Sequence, residues 1–173
     1  MKTTSMPVNT LIMKAESFRK TFIILWKIIF TSGFNLRPLN PDSATFMFPL
    51  AVNCALSCEL FIKGMLKEEK IKRIHTLSKL FNELKEESKR DIILIYETLI
   101  KEETNHEEHL RHGIVYDKTT FYEHLEICSN TFTKWRYSNS TNEFKTIFMY
   151  FFLESLYKFS QENEIADNSF PDY

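Results

Sequence analysis

The stretch PLAVNCALSCELFIKGML, from Pro49 to Leu66, decides the fold class of this chain. Its apolar side chains recur at steps of three and four residues, which places them on one face of an α-helix. Pro49 suits the first turn of such a helix, where its missing N–H is not needed. We therefore predict a helix from Pro49 to about Leu66, with a buried stripe formed by Ala51, Cys54, Ala55, Cys58, Phe61, Ile62 and Met65.

The same periodicity marks helices on both sides of this stretch. Residues 9–30 carry an apolar face that includes the run TFIILWKIIF, which is too short to span a bilayer and is interpreted as core. Residues 75–90 read as one amphipathic helix with charges opposite its leucines. Asp91 is predicted to cap a further helix over residues 92–100, apolar on most sides and therefore buried on more than one face.

Two more helices are predicted in the C-terminal third. An apolar seam runs from Phe121 to Trp135 at steps of four and three, and the last helix follows a capping box formed by Ser140 and Glu143 and continues to about Phe159. The five or six helices predict an all-α fold, an up-and-down helical bundle. Residues 160–173 are expected to fray, and residues 101–118 to form a helix end and a solvated loop.

The composition limits the classes of function. A chain of 173 residues fits a single domain, residues 1–173, and three glycines with five prolines are too few for a turn-rich β fold. Twenty-two basic and 23 acidic side chains leave a formal charge of −1, so no overall attraction to nucleic acid is expected. Three cysteines, two of them in the helical stripe, are interpreted as free thiols of a reduced, cytoplasmic protein. We expect no membrane partner.

Three familiar kinds of chemistry are not favoured. The segment HEEHLRH places His106, His109 and His112 three residues apart, without the spacing of a zinc-binding HExxH motif, and is interpreted as a charged loop with no metal. The cysteines lie on core faces rather than beside a base, which argues against a thiolate nucleophile. The scattered glycines cannot form a phosphate-cradling loop. We expect no cofactor.

Three pieces of sequence occur in a set order between residues 46 and 159. They are Asn53 followed by SCELFIK at residues 57–63, the step His75-x-Leu77-x-x-Leu80, and Trp135-Arg136-Tyr137 before the last helix. Together they resemble the HEPN superfamily, helical domains common in prokaryotic defence and toxin–antitoxin systems. The resemblance implies a four- or five-helix up-and-down bundle that forms a homodimer and, in active members, a metal-independent endoribonuclease.

The resemblance also indicates which residues to inspect. Active members carry an Arg followed, after about four to six residues, by a His near the start of the last helix, and here Arg136 holds the first position. The positions for His are occupied by Thr141, Asn142 and Glu143. The catalytic candidates are therefore Arg136, His75 and Asn142, and the binding candidates are Arg136, Tyr137, Asn139, Glu59 and Lys63.

Three functional hypotheses follow. The first is a non-catalytic HEPN-like module that binds its own copy, another protein, or RNA or a nucleotide, with Arg136 paired to an acid such as Glu59. The second is an endoribonuclease in which Arg136 stabilises a phosphate and His75 or His112 supplies the base, with His75 favoured because an ordered helix begins beside it. The third is a purely structural bundle. The missing His favours the first hypothesis over the second.

Overall fold

The structure, a computed structural model, describes residues 8–29, 45–66, 73–102, 118–129 and 145–163. Within these ranges the chain forms six α-helices and no β-strand, which confirms the predicted all-α bundle. The helices are α1 (Val8–Ile29), α2 (Met47–Leu66), α3 (Leu77–Asn82), α4 (Glu86–Glu102), α5 (Lys118–Cys128) and α6 (Thr146–Glu162).

Helices α1 and α2 pack closely against each other and run antiparallel. The Oγ of buried Ser57 in α2 donates a 2.7 Å hydrogen bond to the carbonyl of Ala15 in α1. Further along, a Cβ atom placed on Gly64 would lie 2.5 Å from the Cδ1 of Ile12, so the two helices meet here at a distance that glycine permits. The predicted stripe of α2 is confirmed except for Met65, which is half-buried.

Helix α6 lies at the centre of the hydrophobic core. It runs parallel to α2, since Cys54 lies against the carbonyl of Met149 and the ring of Phe61 against that of Tyr157. It also contacts α4 and α5, through buried Phe148 and Phe152. Phe61, Leu80 and Phe148 are fully buried in this one core, whereas the part of the predicted Phe121–Trp135 seam that follows Ser129 lies outside the described residues.

The helix predicted over residues 75–90 is wrong, because the chain breaks between α3 and α4. The N–H of Glu83 bonds the carbonyls of Lys79 and Leu80, a tight closing turn. Helix α4 then begins at Glu86, five residues before the predicted cap Asp91, which lies exposed inside the helix. Acidic side chains at the start of α4 favour this position because they complement the helix dipole.

Helix α3 is capped from another helix. Its own N-cap residue, Thr76, makes no side-chain cap bond. Instead Ser129, just after α5, accepts the N–H of Ser78 on its Oγ at 2.8 Å and the N–H of Leu77 on its carbonyl at 3.3 Å. These bonds satisfy two of the backbone donors that a helix start leaves without partners. They fix the end of α5 beside the start of α3.

Two further predictions differ from the structure, and a third lies outside the described residues. The predicted capping box of Ser140 and Glu143 is the third; the helix as described begins at Thr146, after Lys145 with its non-helical ψ of 79°. Helix α6 also continues past Phe159 to Glu162. Helix α4 buries one face rather than several, and Leu94 on the opposite side is 60% exposed.

The apolar run of α1 is core on one side only. Phe22, Trp26 and Ile29 are buried, but Ile24 and Ile28 are exposed. Helix α2, in contrast, is the one described helix long and apolar enough to cross a bilayer, yet 56% of its apolar window is buried inside the bundle. That degree of burial is typical of the core helix of a soluble protein.

Candidate functional site

Three polar side chains from α2 and the segment before α3, those of Glu59, Lys63 and His75, are in contact, and two exposed cations lie near His75 in sequence. Glu59 and Lys63 lie one turn apart near the end of α2, and Arg73 and His75 lie in the segment before α3. Lys79 is exposed on α3 itself. We call these five residues the α2–α3 joint. Two of them, Glu59 and Lys63, are predicted binding residues, and His75 is a predicted catalytic candidate.

Glu59 is the centre of the joint. Its side chain is only 8% exposed, and its Oε1 accepts hydrogen bonds from the Nζ of Lys63 at 2.7 Å and from the Nδ1 of His75 at 3.0 Å. A carboxylate removed from water needs such partners, since an unpaired buried charge is costly. The structure therefore joins Glu59 and Lys63, which lie in one sequence motif, to His75, which lies in another.

The bond to Glu59 fixes the orientation of His75. Because a carboxylate only accepts hydrogen bonds, the Nδ1 of His75 carries the proton and donates it. The other ring nitrogen, Nε2, takes no part in this bond. The His75 side chain is 58% exposed, so a ligand in solution can approach the ring.

The exposed charge of the joint is positive. Lys63 balances Glu59 within the structure, and its side chain is only 10% exposed. Arg73 and Lys79 both lie exposed within four residues of His75 in sequence. Sequence reasoning missed these two cations, because isolated basic residues in a charged segment carry no distinguishing pattern.

Ser129, the last described residue before the remaining candidates, accepts backbone hydrogen bonds from Leu77 and Ser78, which follow His75 by two and three residues in sequence. The candidates Arg136, Tyr137, Asn139 and Asn142 lie outside the described residues.

Asn53, the first residue of the HEPN-like pattern, has a local role. Its Nδ2 donates a 2.7 Å hydrogen bond to the carbonyl of Pro49, one turn earlier in α2. This bond keeps the side chain within its own helix. The residue is therefore not part of the joint.

A second charged cluster, which sequence reasoning did not single out, joins α1 to α6. Arg19 donates to both carboxylate oxygens of Glu154, at 2.9 and 2.6 Å, and its guanidinium lies 3.7 Å from the centroid of the Tyr157 ring. Burial acts to lower the pKa of Arg19, but the hydrogen bonds and charge of Glu154 outweigh it and raise that pKa. These contacts hold the two helices together.

Glu16 lies on the edge of this cluster. Its Oε1 is 3.5 Å from Arg19 and 3.8 Å from Lys20, whereas its Oε2 is buried without a hydrogen-bond partner among the described residues. Burial raises the pKa of Glu16 above its ordinary value, although Arg19 and Lys20 act to lower it. The cluster is structural, since the guanidinium of Arg19 and both carboxylate oxygens of Glu154 are paired with each other.

The predictions for the cysteines can be compared with the structure, whereas the prediction for the histidine-rich segment cannot. Cys54, Cys58 and Cys128 are all free and buried, which confirms that they belong to the core. Burial also raises the pKa of Cys54, so this thiol stays protonated and is a poor nucleophile. The segment with His106, His109 and His112 lies outside the described residues, and no group of metal ligands occurs among those that are described.

Comparisons with known proteins found no match for this chain, whether with family models, curated proteins or solved structures.

Proposed function

We propose that this protein is a non-catalytic, HEPN-like binding module that takes a phosphate-bearing ligand, RNA or a nucleotide, at the α2–α3 joint. The proposal rests on the two hydrogen bonds that the Glu59 carboxylate accepts. Because its Oε1 accepts from both Lys63 and His75, the acid is balanced inside the protein. Among the described residues within four residues of His75 in sequence, the charged ones exposed on the surface, Arg73 and Lys79, are both cations.

The chemistry of this surface suits phosphate. Arg73 and Lys79 are exposed and can donate to phosphate oxygens, and His75 adds a ring nitrogen and a flat face for a base to stack on. The predicted binding residues Arg136, Tyr137 and Asn139 follow the Ser129 anchor in sequence. We assign them to the same surface as part of the proposal.

A second candidate function is favoured by one specific contact. The bond between the Nδ1 of His75 and Glu59 orients an exposed imidazole in the way a general base requires. In this version His75 removes the proton of a ribose 2′-hydroxyl and Arg136 stabilises the phosphate, which gives a metal-independent endoribonuclease. The absence of His at residues 141–143 makes this the alternative rather than the main proposal.

Binding and cleavage of one labelled single-stranded RNA separate the two functions. Fluorescence anisotropy should show binding that weakens with salt and falls at least about tenfold in the double variant Arg73→Gln, Lys79→Gln, since each phosphate contact adds to affinity. The matched control is Lys85→Gln, Arg90→Gln, which removes two exposed cations elsewhere on the surface. An equal loss of RNA affinity in the two double variants would mean that the α2–α3 joint is not the RNA-binding site.

Cleavage is measured on the same RNA in the presence of a chelator. The binding module leaves the RNA intact. Cleavage that disappears in His75→Gln, while RNA affinity and melting temperature are unchanged, would establish the enzyme instead. A variant with Glu59→Gln would then lower the rate by disturbing the orientation of His75.

The wider context remains a proposal that rests on the HEPN resemblance. We propose a homodimer in the cytoplasm, acting in a defence or toxin–antitoxin system. The three free cysteines are compatible with a reducing compartment. Sedimentation velocity of the purified protein tests the dimer, and a single species of 20.6 kDa would contradict it.

A further inference from the structure

The side of α1 that faces away from the core carries large aliphatic side chains. Met13, Ile24 and Ile28 are 51%, 60% and 43% exposed. Successive residues lie about 100° apart around a helix, so these three side chains fall on one strip of surface, about 22 Å long. Exposed Ser17 lies on the same strip between Met13 and Ile24, so the aliphatic surface has two parts, Met13 near the start of α1 and the neighbouring pair Ile24 and Ile28 near its end.

Lysines border this strip on both sides. Lys20 and Lys27 lie along one margin and Lys14 along the other, and all three are exposed. The acidic residue among the described side chains of α1, residues 10–29, is Glu16, which is 20% exposed and lies 3.8 Å from Lys20. We call the six residues Met13, Lys14, Lys20, Ile24, Lys27 and Ile28 the outer face of α1.

The exposed side of α4 provides a contrast within the same protein. It also carries an exposed aliphatic residue, Leu94, but Glu87 and Asp91 lie exposed beside Arg90 and Lys101. Mixed charges of this kind are typical of a solvated helix surface. The outer face of α1 differs because its charges have one sign and its centre is aliphatic.

The aliphatic strip and the lysines beside it together indicate which kind of partner can bind to the outer face of α1. A second copy of the chain, paired through the same face, would bring lysines close to lysines. A nucleic acid would neutralise the lysines but would leave the aliphatic strip in contact with water or phosphate. An anionic bilayer suits both parts, since aliphatic side chains enter the acyl boundary while lysines extend to the headgroups.

We infer that the outer face of α1 docks on an anionic membrane surface, with Met13, Ile24 and Ile28 inserted and Lys14, Lys20 and Lys27 against lipid headgroups. The protein then lies on the membrane and does not span it. This inference revises the expectation from sequence that no membrane is a partner. It is independent of the α2–α3 joint, because it uses none of the same residues.

Vesicle cosedimentation of the full chain tests the inference. Phosphatidylcholine vesicles that contain phosphatidylserine should bind the protein, vesicles of phosphatidylcholine alone should bind it much less, and added salt should weaken the binding. The double variants Ile24→Ser, Ile28→Ser and Lys20→Gln, Lys27→Gln should each reduce the partition coefficient at least about tenfold. All four substituted residues are exposed, so the fold should persist, which circular dichroism checks.

Two matched controls complete the test. Leu94→Ser removes an equally exposed aliphatic side chain from α4, and Lys85→Gln, Lys158→Gln removes two exposed lysines outside α1, so both should bind as the unaltered protein does. The inference is overturned by absent binding to the anionic vesicles, or by equal losses in the α1 variants and the controls. It is also overturned by a dimer in solution that the Ile24→Ser, Ile28→Ser variant dissociates, which would assign the face to a second copy.

Discussion

Arg19 in α1 and Glu154 in α6 are joined by two parallel hydrogen bonds, one from Nε and one from Nη2, across 135 residues of sequence. Both side chains are largely buried, at 16% and 14% exposure. A paired geometry of this kind is more specific than a single contact, because the planar guanidinium matches both carboxylate oxygens. The first and last helices of the bundle are therefore held in a set register.

Removing this pair should destabilise the fold through an interaction that a double-mutant cycle can measure. We expect Arg19→Met and Glu154→Gln to show a coupling free energy of about 1–3 kcal/mol in urea unfolding, because each single change leaves its partner poorly satisfied. The exposed neighbour Lys20 provides the control, and Lys20→Met should change stability by less than about 1 kcal/mol. A coupling near zero would show that the pair is no stronger than a surface contact.

Glu16 should make the stability of the protein depend on pH. Burial raises its pKa in the folded state, so the protonated form is favoured there and its contribution to stability is present below the ordinary glutamate pKa. That contribution is lost as the pH rises from the ordinary value through the raised one. Glu16→Gln cannot lose a proton, so its stability relative to the unaltered protein should improve between pH 4 and pH 7.

Urea unfolding at several pH values checks this expectation. The difference in unfolding free energy between Glu16→Gln and the unaltered protein should shift in favour of the variant as the pH rises. Glu123→Gln removes an exposed carboxylate from α5 and accounts for the general effect of net charge. A difference that stays constant with pH, or that favours the unaltered protein more strongly at pH 7, would contradict the prediction.

The cap of α3 should depend on Ser129 and not on Thr76. Ser129→Ala leaves the buried N–H of Ser78 without its partner and should lower the unfolding free energy by about 1–2 kcal/mol. Thr76→Ala changes the residue at the N-cap position itself, but it removes no side-chain cap bond and should cost much less. Thermal melting of the two variants ranks them, and the reverse order would show that α3 is capped locally.

Core truncation should distinguish the buried and exposed apolar residues. Phe148 is fully buried and its ring lies within 5.7 Å of those of Phe121 and Tyr96. We expect Phe148→Ala to cost about 3–5 kcal/mol, whereas Leu94→Ala on the exposed side of α4 should cost less than about 0.5 kcal/mol. Denaturant unfolding measures both, and a small loss for Phe148 would place it outside the main core.

The sequence predicts helices well where burial and periodicity agree, and fails where burial continues through a turn. The stripe of α2 is an example of agreement. Leu80, Phe81 and Leu84 also follow helical spacing, yet α3 ends at Asn82 and Leu84 reaches the same core from the turn after it. Periodicity cannot detect that break, because the pattern of buried residues is the same on both sides.

The candidate site was predictable only in part for a similar reason. Glu59 and Lys63 lie four residues apart, a spacing that marks a pair on one helix face. The contact of Glu59 with His75 spans 16 residues and depends on how the chain returns to the bundle, which no local pattern encodes. In the same way, the run of apolar residues in α1 concealed that Ile24 and Ile28 face outward.

The central place of α6 determines the order in which this protein can fold as it is synthesised. It packs on α2, α4 and α5 and is bonded to α1 through Arg19 and Glu154, and all four helices precede it in the chain. The ribosome therefore releases them while the face of α2 that packs on α6 is still uncovered. Contacts across so long a stretch of sequence form late, since the ends of a large loop must first meet. A nascent chain that stops at Ser129 should therefore expose apolar surface and be retained by chaperones, and release should come only after residue 162 has emerged.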